Sequence, residues 1–205
     1  DGSFSFAFAR ELRNPSSGPA FALSNTYDPQ ALGYLVPNWA EVIAFGKRNA
    51  DGELKLSQLD FTLNVYRRDG SLKDTREITL PALGEFDFHA GHEYVNDQGV
   101  VEQDVYLVEV VPHQENAEYL LTVSRYSSNS APGTDPSTYN YAFALAGSSG
   151  TSETLFAPIG NAMLGVEGLK AKPIVINWVE VANVSDSAAQ VTVRYRVASG
   201  AVIGE

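Results

Sequence analysis

Cysteine is absent from the 205 residues of this chain. That absence excludes disulfides, thiolate metal centres and a cysteine nucleophile. Histidine occurs three times, so imidazole chemistry is confined to His89, His92 and His113. Basic residues are scarce as well. Fourteen Lys and Arg against 25 Asp and Glu leave a formal net charge of −11. An acidic surface repels phosphate backbones and anionic lipid, which argues against nucleic-acid and membrane-surface binding. The acid is spread along the chain and reads as solubility rather than as a tail. No run approaches the roughly 18 apolar residues of a membrane span. No segment of about 12 residues carries helical periodicity. A basic-apolar leader is also missing; the opening DGSFSFAFA reads directly as a strand, as expected of a mature or trimmed start.

What is present is alternation. Phe4, Phe6 and Phe8 share one face of SFSFAFA, and Leu59, Phe61, Leu63 and Val65 share one face of QLDFTLNVYRRDGS, where Asp69-Gly70 supplies a turn. DVYLVEVV, EYLLTVSRY, TYNYAFALA, KPIVINWVEVANV and AQVTVRYRV are further strands rich in Val, Tyr, Phe and Thr. Clusters of Gly, Pro, Asn and Ser separate them. The chain therefore reads as all-β, an antiparallel β-sandwich rather than βαβ units. The apolar fraction of 44% is enough for a proper core.

Three pairs of segments recur in the same order. FSFAFA at Phe4 matches YNYAFA at Tyr139, an offset of 135 (139 − 4). NWAEV at Asn38 matches NWVEV at Asn177, an offset of 139 (177 − 38). VYRRDG ends at Gly70 and RYRVASG at Gly200, an offset of 130 (200 − 70). The offsets point to a duplicated module. The expected organisation is a β-sandwich module over 1–137 and a partial second copy over 138–205. The second copy lacks the counterparts of LKDTREITLPALGEFDF through EYLLTVSRY. It is expected to pack on the first, or to be completed by a partner or by chain beyond the sequence given.

Candidate chemistry is sparse. DFHAGHE places Asp87, His89, His92 and Glu93 in one short segment, a donor set that could hold zinc or a similar ion. It lacks the helical H-E-x-x-H spacing, and a strand-to-loop transition at Ala90-Gly91 explains it as well. NADGELKL has alternate oxygen donors but not the calcium-loop spacing, and reads as a hairpin turn around Asp51-Gly52. AGSSGTSE fits neither a nucleophile elbow nor a phosphate loop. Asn183-Val184-Ser185 is a formal glycosylation sequon on an expected turn. Trp39 and Trp178 each share a strand face with a glutamate two residues on, Glu41 and Glu180. Such a face is only partly buried, which makes the two tryptophans candidate binding residues for a partner or a sugar. No acid–base or nucleophilic constellation assembles from these residues, so no enzyme and no cofactor is expected.

NWVEVANVSDSAAQVTVRYRVASGAV resembles the strand–turn–strand pattern N-x-S-x-x-A-x-V-x-V-x-Y-x-x-x-G of immunoglobulin-like β-sandwich modules in bacterial exported and surface proteins. EYLLTVSRYSSNSAPGTDPSTYNYAFAL looks like the closing part of such a module. The resemblance implies export, an extracellular or cell-surface location and a structural, adhesive or binding role, with no catalytic residue to carry over. Together with the truncated repeat, it makes Ser3, Phe4, Ser5, Phe6, Ala7, Phe8 and Ala9 a candidate donor strand. One copy would add it to the next in a homo-oligomer or filament. The alternatives are a carbohydrate- or ligand-binding module using exposed aromatics, and a metal-binding protein using His89 and His92.

Overall fold

The computed structural model describes residues 17–25, 38–88, 94, 97–99, 104–128, 139–151, 180–197 and 199–205. The chain divides into two compact units, Asp1–Leu155 and Phe156–Glu205. Every described element is a strand, and every described pairing is antiparallel.

The first unit carries two sheets. One has the order β1 (Ala20–Asn25), β7 (Val105–Pro112), β4 (Leu59–Tyr66), β5 (Leu72–Leu80). The other runs β3 (Leu54–Leu56), β2 (Asn38–Arg48), β8 (Ala117–Ser128), β9 (Tyr139–Ala146), with β6 (Glu85–Phe88) also paired to β2. Alternation decides which side chains go in. Leu59, Phe61, Leu63 and Val65 are fully buried, as the sequence pattern requires, and so are Ala40, Val42, Ala44, Val108, Val110 and Val123 from the neighbouring strands. They form one core shared by both sheets. Phe61 and Tyr119 meet across it edge to face, with ring centroids 5.1 Å apart. The Tyr119 hydroxyl donates to the carbonyl of Val110 at 2.9 Å, on the opposite sheet, and stands 2.7 Å from that of Gly18.

Two connections fix this layering. Only residues 113–116 lie between β7 and β8, and they carry the chain from one sheet to the other. Asn116 takes a left-handed φ of 55° there, a conformation asparagine tolerates better than most residues. After β9, Ser148 pairs with Phe21 through two backbone bonds of 2.8 and 2.9 Å, so this segment ends on the β1 edge of the other sheet. The sequence boundary between residues 137 and 138 therefore falls just before β9, which pairs with β8 inside the first unit, whereas the compact units divide after Leu155.

The end of β2 is locked to β8. Arg48 and Glu118 form a forked ion pair, with Nη2 to Oε2 at 2.9 Å and a second contact from Nε to Oε1. The carboxylate is nearly buried, which such a pair tolerates because both oxygens are engaged. The pairing shifts register between Ala44 and Gly46. Gly46 has φ of +155°, and a Cβ there would lie 2.1 Å from the Lys55 carbonyl oxygen. Only glycine permits that approach.

In the second unit, β10 (Tyr195–Arg196) and β11 (Val202–Gly204) form a hairpin. It repeats β4–β5 at an offset of 130. Arg67 N–H bonds Ser71 O and Gly70 N–H bonds Arg67 O; Val197 N–H bonds Ala201 O and Gly200 N–H bonds Val197 O. Gly70 and Gly200 have φ of 84° and 86°. Tyr66 pairs with Leu72 and Val65 with Asp74; Arg196 pairs with Val202 and Tyr195 with Gly204. The turn recurs at Asn49–Glu53 as well, where the strands pair without a bulge directly beyond it. Register and bulge together therefore set these two hairpins apart.

Candidate functional site on the outer sheet faces

Strand β2 buries Ala40, Val42 and Ala44, and the opposite parity sends Glu41 outward. Antiparallel pairing with β6 sets Glu41 against Asp87 and Ile43 against Glu85. Three carboxylates thus converge, with candidate ligand oxygens all within 4.8 Å of one another. Thr122 and Ser124 of β8 donate to Glu41 Oε2 at 2.7 and 3.3 Å, and both hydroxyl residues are buried. Glu85 and Asp87 are exposed. Repulsion from Asp87, then desolvation and the charge of Glu41, raise the pKa of Glu85. Chemically the group offers a hard divalent cation up to three oxygens on an open sheet face, with water left to complete the shell.

The sequence placed Asp87 with His89, His92 and Glu93 as one donor set. The structure brings Asp87 to Glu41 and Glu85; His89, His92 and Glu93 lie outside the described residues. Trp178 and the donor segment Ser3–Ala9 also lie outside them. Trp39 is placed by its backbone, in register with Ser124. Glu85 and Asp87 are neighbours along β6, but the third carboxylate arrives through β2–β6 pairing, to which no local pattern points.

The outer face of the other sheet is a polar lattice. Asp60 accepts from Thr79 at 2.7 Å and from Gln114 at 2.7 Å. Asn64 and Tyr66 both donate to Glu109 Oε2, at 3.0 and 2.7 Å, and Thr75 donates to Asn64 at 2.9 Å. Burial, then the bond and the charge of Glu109, push the Tyr66 phenol up to about 12. The bond from Thr79 leads those that hold Asp60 below the usual carboxylate range.

His113 joins this lattice, with Nε2 2.8 Å from Thr62 Oγ1 and 3.3 Å from Glu77 Oε2, while Thr62 donates to Glu77 at 2.9 Å. Hydroxyl, imidazole and carboxylate are the components of a nucleophilic triad, but the wiring differs. In a triad the acid holds one ring nitrogen and the nucleophile the other. Here the hydroxyl and the acid share Nε2 and bond each other directly, which makes a clamp rather than a relay.

Compared with known proteins, the chain matches no family model, no curated protein and no solved structure.

Proposed function

We propose that this chain is a non-enzymatic, extracytoplasmic scaffold of immunoglobulin-like order from a bacterium, acting in surface structure, adhesion or assembly and joining copies by strand donation. The observation that carries the scaffold reading is the use of its polar groups. On the β4–β5–β7 face, Asp60, Thr62, Asn64, Tyr66, Thr75, Thr79, Glu109 and Gln114 bond their cross-strand neighbours. Groups committed to one another stiffen a sheet instead of meeting a substrate.

Strand order supports the immunoglobulin-like form. Such sandwiches set strands A, B, E and D against C, F and G. With β1, β7 and β4 as B, E and D, and β2, β8 and β9 as C, F and G, neighbours and sheet crossings agree. Tyr119 stands near the start of the F-equivalent, and its hydroxyl reaches back to Val110, as in a tyrosine corner. Strands β3, β5 and β6 are additions to that plan.

The test has two arms. A membrane-impermeant amine reagent applied to intact source cells is expected to label the protein; labelling only after lysis contradicts the surface reading. Deleting Asp1–Ala9 is expected to reduce the native mass, and an unchanged oligomeric state removes strand donation.

A further inference from the structure

We infer that Asn183 is a glycan-acceptor site, whose side-chain nitrogen takes a saccharide from a lipid-linked glycosyl diphosphate outside the cytoplasm. The inference rests on the extracytoplasmic reading above and adds to it a covalent modification.

Asn183-Val184-Ser185 is the one Asn-x-Ser/Thr triplet of the chain apart from Asn14-Pro15-Ser16, where the proline excludes transfer. Asn183 and Ser185 are exposed, and a bend over residues 185–187 turns the chain there. The side chain is also arranged for the chemistry. Asn183 Oδ1 accepts from the Ser185 N–H at 3.1 Å. The Ser185 hydroxyl stands 2.8 Å from that oxygen and 2.9 Å from the Ser187 carbonyl, so its single proton serves either. Nδ2 itself donates to the Ser187 carbonyl at 2.7 Å. An amide nitrogen is a weak nucleophile because its lone pair is spread onto the oxygen. As Nδ2 yields a proton, negative charge gathers on Oδ1, where both Ser185 donors already stand.

Asn49 provides the contrast within the same chain. Its Oδ1 caps the β2–β3 turn in the same way, accepting from the Asp51 N–H at 3.1 Å and the Glu53 N–H at 2.8 Å. An aspartate stands there two residues on, so no hydroxyl reaches the oxygen. A turn of this kind needs only the asparagine, whereas transfer needs the serine as well. Val181, two residues before Asn183, is 57% exposed, and a hydrated saccharide beside it screens apolar surface from other proteins. In the transfer, the bond from Nδ2 to the anomeric carbon forms as the bond from that carbon to the diphosphate oxygen breaks. The diphosphate leaves with the electron pair, and the Nδ2 proton passes to a carboxylate base of the transferase. No oxidant or reductant takes part.

The test is mass spectrometry of the full protein purified from its source cells, first intact and then as mapped peptides. The peptide that holds Asn183 is expected to be heavier than its sequence by at least one saccharide, and the peptide that holds Asn49 to be unmodified. Expressed in the same cells, Asn183→Gln and Ser185→Ala are expected to lose the added mass and Ser185→Thr to keep it. Unmodified Asn183 in protein recovered from the cell surface overturns this site and leaves the surface reading standing. Protein found only inside the cell with Asn183 unmodified overturns both. A saccharide on Asn183 of protein that never leaves the cytoplasm overturns the lipid-linked donor, and one that persists in Ser185→Ala overturns the part given to the hydroxyl. Circular dichroism equal to wild type establishes that each variant is folded.

Discussion

Replacing Tyr119 by phenylalanine removes one oxygen and leaves the ring. The ring contact with Phe61 and the apolar burial persist, so the change isolates the single hydroxyl proton shared between the carbonyls of Val110 and Gly18. An intramolecular hydrogen bond contributes about 1 kcal/mol net, and more where its loss strands a buried partner. One such bond between buried groups gives an expected loss of about 1–2 kcal/mol, or roughly 2–4 °C in Tm per kcal/mol for a unit of this size. Urea unfolding measures it as a lower midpoint at unchanged slope.

A second readout distinguishes the hydroxyl from general loosening. Burial raises the Tyr119 phenol well above its ordinary value. A raised folded-state pKa contributes stability that is complete below the unfolded value of about 10 and is lost as pH rises through the folded one. Wild type should therefore weaken steadily above about pH 10, and Tyr119→Phe should weaken less steeply. A destabilisation below about 0.3 kcal/mol, or an alkaline slope identical to wild type, refutes the claim that this hydroxyl ties the two sheets together.

Other perturbations probe other parts of the scaffold. Glu118→Ala removes the forked pair that joins the end of β2 to β8 and should lower Tm measurably, though Arg48 keeps its access to water, whereas Glu205→Ala, which breaks an exposed single contact with Arg194, should leave it unchanged; equal effects contradict the lock between β2 and β8. Glu85→Gln should raise Tm at pH 7 in low salt. The raised carboxyl pKa marks a penalty that is present above that pKa and relieved as pH falls through it, so the gain should vanish in acid and shrink in 1 M salt. A gain that persists under both conditions points to a non-electrostatic cause. Gly46→Ala should cost more than about 1 kcal/mol, because its Cβ would meet the Lys55 carbonyl; chemical denaturation at wild-type stability would show that the bulge relaxes freely.

Strand identity and facing were legible along β4, where Leu59, Phe61, Leu63 and Val65 alternate with Asp60, Thr62, Asn64 and Tyr66, and burial follows that period. The turns at Asp51-Gly52 and Asp69-Gly70 were legible for the same local reason, since glycine supplies the positive φ each one uses. The acidic group was not legible. Glu41 is 44 residues from Glu85 (85 − 41), and only pairing of β2 with β6 brings them together. The Thr62–Glu77–His113 clamp is hidden in the same way, since it takes one residue from each of β4 and β5 and one from just beyond β7.

The sequence by itself therefore determined the all-β class, the inward face of β4, the hairpin turns and the spacing of the repeated segments. These depend on the period of two and on residues such as Gly70 and Gly200, whose effects are local. Tertiary structure decided which strands are neighbours, which sheet each connection leads to, and which polar groups meet. Pairing partners separated by 40 or more residues are chosen by shared burial and register, and a single strand carries no record of its neighbour. It also decided that two hairpins with the same turn and register differ in burial, Val65 being fully buried and Tyr195 45% exposed.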